Sequence, residues 1–198
     1  INAGMVTFNN NDGTLFNNGT VENYGVINNA GTSIIENPAG SVFKNYGNID
    51  NFGTINNSGE LLNNGDLVST STILNDGTIT NNGFMDVAFG GTFTNASGGN
   101  IVNSSGAFVE VNTDFTNAGT ITSDGSWFVQ VGSTLFDNSG SFTSNGRLDI
   151  SGIVNNSGTL ISNVELFIND SGKLDNYNIF TNNGSITLSV CGQLIQNA

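Results

Sequence analysis

The sequence predicts an all-β parallel β-helix. A glycine returns every six residues, an aliphatic residue typically follows it by two places, and an asparagine by four. Gly13, Gly19, Gly25 and Gly31 show the spacing first, and Gly47, Gly53, Gly59 and Gly65 repeat it. The unit reads G-x-[ILV]-x-N-x, as in Gly53-Thr54-Ile55-Asn56-Asn57-Ser58 and Gly77-Thr78-Ile79-Thr80-Asn81-Asn82. Each copy is a short strand beside a corner, and strand alternation puts the aliphatic residue and the second asparagine on one side.

Glycine is expected at the corners for two reasons. The chain often needs positive φ there, and a side chain would obstruct the neighbouring layer. The corner positions are Gly53, Gly59, Gly65, Gly77, Gly83, Gly119, Gly125, Gly140, Gly146 and Gly158.

From Asp66 onward a longer period of about 20 residues overlies the hexads, with segments starting near Asp66, Phe84, Ala107, Ser126, Arg147, Val164 and Ser185. Each segment holds three short strands. The first carries an apolar pair: Met85/Val87, Val109/Val111, Val129/Val131, Leu148/Ile150, Leu166/Ile168 and Ile186/Leu188. The expectation is one solenoid domain over 1–198, regular hexads in 1–65 and longer turns in 66–198, making about nine or ten turns. The variable turn length favours the right-handed class of solenoid.

Composition agrees. The chain has 27 glycines, 36 asparagines and a single proline, Pro38, and only 10% of its residues are charged. Asn, Gly, Ser and Thr are poor helix interiors, whereas regularly spaced β-branched and aromatic residues suit strands. A lone turn buries too little apolar surface to offset its ordering entropy, so stability has to come from stacking. Stacking also aligns like residues, and two side-chain ladders are expected: Asn75, Asn117, Asn138 and Asn156 in one, and Asn81, Ser123, Ser144, Ser162 and Asn182 in the other.

Charge and residue inventory exclude several functions. Sixteen acidic residues face only Lys44, Arg147 and Lys173, a net charge of −13, so nucleic acid and anionic membrane surfaces find few cationic donors. No stretch approaches the roughly 20 apolar residues of a membrane-spanning helix. Cys191 is the only cysteine, which rules out an intramolecular disulfide. There is no histidine, so the commonest general base and metal ligand is missing. A polysaccharide-cleaving β-helix would need gathered carboxylates, whereas Asp12, Asp76 and Asp124 precede corner glycines and Glu22, Asp50 and Asp175 are scattered mid-strand. No catalytic residue and no cofactor is expected.

One charged feature stands out, a column Asp86, Glu110, Gln130, Asp149 between the paired core residues. Like charges one layer apart repel, which leaves a solvated acidic stripe or a stripe neutralised by a Ca²⁺-type cation. Seven Asn-x-Ser/Thr acceptor sites occur, at Asn18, Asn56, Asn95, Asn103, Asn155, Asn169 and Asn183, about the number composition alone would give. Thr follows Gly at Thr14, Thr20, Thr54, Thr78, Thr120 and Thr159, in ranks too irregular for an ice-binding array. Phe84, Phe108, Trp127 and Phe128 border the first strands and are expected to stack in the core or at corners.

The phrases Asn28-Asn29-Ala30-Gly31 and Asn155-Asn156-Ser157-Gly158-Thr159-Leu160 resemble Asn/Gly-rich repeat proteins of archaeal and bacterial cell surfaces. The resemblance spans nearly the whole chain and implies secretion, a parallel β-solenoid, and a role in an extracellular filament, sheath, surface layer or adhesin. It contributes no catalytic residues. Ile1-Asn2-Ala3-Gly4 and Gln196-Asn197-Ala198 keep the repeat register without an obvious polar cap, and the chain opens without a signal peptide or initiator Met. The reading is a processed chain or a piece of something longer, partnered end to end by itself. An adhesin or stalk binding glycans or surface proteins is the alternative.

Overall fold

The computed structural model describes residues 7–131 and 135–197. The opening Ile1-Asn2-Ala3-Gly4 and the final Ala198 lie outside the described residues. Twenty-nine short strands and no helix make up the described chain. The strands fall into three parallel sheets of ten, ten and nine members, and each sheet takes every third strand. The first sheet starts with β1 (Thr7–Asn11) and β4 (Val26–Ala30), the second with β2 (Thr14–Phe16) and β5 (Ile34–Asn37), and the third with β3 (Thr20–Asn23) and β6 (Val42–Asn45). This is a parallel β-solenoid of about nine turns with three strands per turn, in which the hexads of residues 7–65 and the longer turns after Asp66 share the same three sheets.

Most strands are four residues long, and their second and fourth residues are buried. In β8 (Thr54–Asn57) Ile55 fills the apolar core and Asn57 closes it beside the corner, while Thr54 and Asn56 face outward. Apolar residues at the second position form one continuous core from Ile27 to Leu174. Its middle is aromatic. Phe115 stacks between Phe93 and Phe136 at 4.5 and 4.9 Å, with Trp127 edge-on to Phe115 at 5.6 Å. Stacking identical ring types one layer apart keeps faces in contact without filling the core unevenly.

The corners explain the hexad. At tight corners glycine is required by space: a Cβ on Gly65 would run into the carbonyl oxygen of Gly47, and one on Gly83 into that of Gly65. Positive φ, expected at these corners, is instead found at longer ones, for example 83° at Gly40 and at Gly106, where nothing crowds the α-carbon. Extra residues therefore collect at wide corners, and the interval between stacked residues ranges from 18, as between Asn45 and Asn63, to 24, as between Phe84 and Phe108.

One pairing differs from the sequence reading. In β19 (Ser126–Val129) the core residues are Trp127 and Val129, with Val109 opposite Trp127 and Val111 opposite Val129. Val131, expected in the core, is 60% exposed. Trp127, Val129 and Val131 share one face and fit either of two registers two residues apart, and the bulky indole takes the core site. Gln130 moves with it: Phe128, not Gln130, lies between Glu110 and Asp149 in the outward row.

Candidate functional site

The solenoid offers an interior of hydrogen-bonded amides and three outward faces. At the fourth strand position of the second sheet each carboxamide donates from Nδ2 to the side-chain oxygen one turn further on. The row is unbroken from Asn17 through Asn37, Asn57, Asn75, Asn95, Asn117, Asn138, Asn156 and Asn176 to Gln196. Each amide also reaches a backbone carbonyl: Asn57 Nδ2 donates to Asn75 Oδ1 at 2.7 Å and to Thr78 O at 3.0 Å. Asn95 and Asn103, which the repeat spacing does not bring out, supply the missing rungs; the wide corners around Gly90 and Gly98 displace their hexads.

The second predicted ladder changes character. Asn23, Asn45, Asn63, Asn81 and Asn103 hand on the hydrogen bond to Ser123, whose hydroxyl turns to the corner carbonyl of Gly125 at 3.2 Å. Ser144 does the same with Gly146, and Ser162 Oγ and Asn182 Oδ1 are buried without a partner. A serine hydroxyl is too short to span the roughly 4.8 Å between layers. In the first sheet the row runs from Asn10 through Asn29 and Asn51 to Ser69, and Val87, Val111 and Val129 continue it as apolar core.

A second asparagine row runs on the outside. At the corners between the third and first sheets, Asn82 donates to Asn64 at 2.8 Å, Asn145 to Asp124 at 2.8 Å, Asn163 to Asn145 at 2.7 Å and Asn183 to Asn163 at 2.7 Å. Here the donor belongs to the later turn, the reverse of the interior rows.

The outward face of the first sheet carries Asp86, Glu110 and Asp149 in one row with Phe128 between the last two. Burial pushes the Asp86 carboxyl up from its ordinary range; a hydrogen bond from Asn112 at 2.9 Å opposes this, and the charge of Glu110 adds to it. Gln130 reaches Glu110 at 2.7 Å from a diagonal position. Asp149 is buried under Arg147, which donates to its two oxygens from Nε at 2.6 Å and Nη2 at 3.2 Å. The Arg147 guanidinium stands 4.3 Å from the Phe167 ring centroid and 5.7 Å from that of Phe128. No group of three or more His, Cys, Asp or Glu placed to hold a metal occurs among the described residues. The pairing was legible in Arg147-x-Asp149 and Lys173-x-Asp175, because residues two apart in a strand share a face; Lys173 meets Asp175 at 2.7 Å.

Phe84, Phe108 and Phe128 form an outward column, with Phe108 and Phe128 stacked at 4.5 Å, so only Trp127 of the four flanking aromatics enters the core. Two of the seven acceptor asparagines, Asn95 and Asn103, are fully buried ladder rungs, while Asn18 and Asn183 are exposed. Cys191 is an exposed free thiol.

These features define an Asn-ladder parallel β-solenoid. No protein-family model and no curated protein matches the chain. Among solved structures it is similar to a crystal structure of a TibC-catalysed hyper-glycosylated TibA 55–350 fragment. The sequence identity is 16% over 97% of this chain and 91% of that one, with a TM-score of 0.25, a likeness too distant to carry functional argument.

Proposed function

We propose that the chain is a non-catalytic structural subunit of an extracellular filament, sheath or cell-surface layer that assembles end to end by continued β-stacking. The observation that carries this is the unbroken parallel register of all three sheets, in which every turn repeats the strand arrangement of the one before it. β27 (Ile179–Asn182), β28 (Ser185–Leu188) and β29 (Gln193–Gln196) keep the parallel register of the turns below and have no strand above them among the described residues. Their inward residues Ile186 and Leu188 are 38% and 50% exposed, where their counterparts one turn down, Leu166 and Ile168, are fully buried. A parallel stack of identical design can be continued by a further layer, whether from the same polypeptide or a second copy. A neutral polar surface with net negative charge suits a secreted subunit.

Electron microscopy of the concentrated protein tests the reading. Continuous unbranched fibres are expected. Short rods that stay single at every concentration would instead favour an adhesin or stalk module, for which the exposed, stacked Tyr24 and Tyr46 at one corner, 4.7 Å apart, are the best contact point.

A further inference from the structure

The acidic residues are not spread evenly over the three faces. The first face carries Asp50, Asp66, Asp86, Glu110, Asp149 and Glu165, and the second carries Glu36, Asp114, Asp137 and Asp175. On the third face only Glu22 and Glu60 point outward, and Lys44 pairs with Glu22 at 3.3 Å. From β12 (Thr78–Asn81) to β27, six successive strands show solvent no charged residue at all. Their outward rows hold Thr80, Val102, Thr122, Thr143, Ile161 and Thr181 at one position and Thr, Asn, Ser and Ile at the other. Asp76 and Asp124 sit at the flanking corners, and Asp124 is already bonded by Asn145.

We propose that this third face is the seam along which filaments of the chain pack side by side, a second copy being the occupant. The inference rests on the end-to-end assembly proposed above. Copies with a net charge of −13 repel through their first and second faces, so the approach of least repulsion brings third faces together. Six strands about 4.8 Å apart and about 13 Å long make a surface of about 350 Å² per copy. Stable pairs need about 800 Å² per partner. One chain therefore falls short by about half, and three joined end to end exceed the requirement. Side-by-side packing is thus a property of the filament and not of the free subunit, because each added subunit contributes its seam at no further cost in rotational freedom.

The test uses the whole chain, with fibre formation and bundling read separately: light scattering and microscopy for fibres, low-speed sedimentation for bundles. Wild-type fibres should bundle more as salt is raised from about 0.05 to about 1 M, because screening removes the repulsion of the acidic faces and leaves the uncharged seam intact. Thr80→Glu combined with Thr143→Glu should leave fibres intact and lower the sedimented fraction at least threefold. Thr54→Glu combined with Thr94→Glu, the same charge on the second face, should sediment like the wild type. Melting curves confirm that each variant folds. Single wild-type fibres at high salt, or equal bundling by both double variants, overturn the seam while leaving end-to-end assembly standing. Absence of fibres overturns both.

Discussion

Asn103 and Ser123 face each other across one turn of the third sheet, and the hydrogen bond from Asn103 Nδ2 to Ser123 Oγ, at 3.0 Å, is the last rung of that row. A row of carboxamides is directional: each accepts from the turn before and donates to the turn after. It can end only on a group that accepts and then disposes of its own proton. Serine does both, since its hydroxyl takes the amide hydrogen and gives its own to the corner carbonyl, as Ser123 does with Gly125 and Ser69 with Ser71.

Past that terminus the buried Ser162 Oγ and Asn182 Oδ1 are left without partners. Ser162→Asn should let the new amide donate to Asn182 Oδ1 and to the corner carbonyl, as Asn81 does four turns earlier in the same row. Stability should rise by about 1 kcal/mol in chemical denaturation. A loss of stability would show that the site lacks the room its neighbours have.

Asn81 and Asn82 are adjacent in sequence and opposite in role. Asn81→Ala removes three donated hydrogen bonds, takes from Asn103 Oδ1 its amide donor and leaves Asn63 Nδ2 only the Phe84 carbonyl, so a cost of about 3 kcal/mol or more is expected. Asn82→Ala removes exposed hydrogen bonds that water replaces, and should change stability by less than about 0.5 kcal/mol. Equal midpoints for the two variants would contradict an interior role for the ladder.

The two kinds of corner separate in the same way. Gly65→Ala forces a methyl group into the Gly47 carbonyl and should cost more than about 3 kcal/mol or prevent folding. Gly106→Ala meets no atom and carries only the strain of a left-handed backbone, about 1 kcal/mol. Thermal melting of the two variants makes the comparison.

Much of this architecture was legible because β-strand alternation and a fixed layer spacing turn a one-dimensional period into vertical rows. Ile55, Asn75 and Gly59 each read directly as core, ladder and corner. Legibility failed where the period was interrupted. The wide corners around Gly90 and Gly98 hid Asn95 and Asn103, and the run Trp127, Phe128, Val129, Gln130, Val131 admits two registers that only packing of the indole decides. Spacing also could not show that serine at a ladder position ends a row. The charge asymmetry of the faces became visible only once inward and outward positions were assigned strand by strand.

Asp86 gives a pH dependence. Its carboxyl is pushed up in the folded state, chiefly by burial, so the charged form is disfavoured by folding. The associated penalty is present above the folded pKa and disappears as pH falls through it toward the ordinary value for aspartate. Asp86→Asn should therefore stabilise the protein at neutral pH, with the advantage vanishing near pH ~3. Urea midpoints at the two pH values measure it, and an advantage that persists in acid would assign the effect to packing instead.

The wide corners carry a consequence for how such a molecule can vary. Residues added beside Gly40 or Gly106 swell the girth of one layer, yet the residues above and below still pair, at intervals of 18 to 24 residues. Height responds only to whole layers, each adding about 4.8 Å. Insertions and deletions at these points decorate the rod without stretching it, and duplication of a complete layer lengthens it without reshaping its flanks.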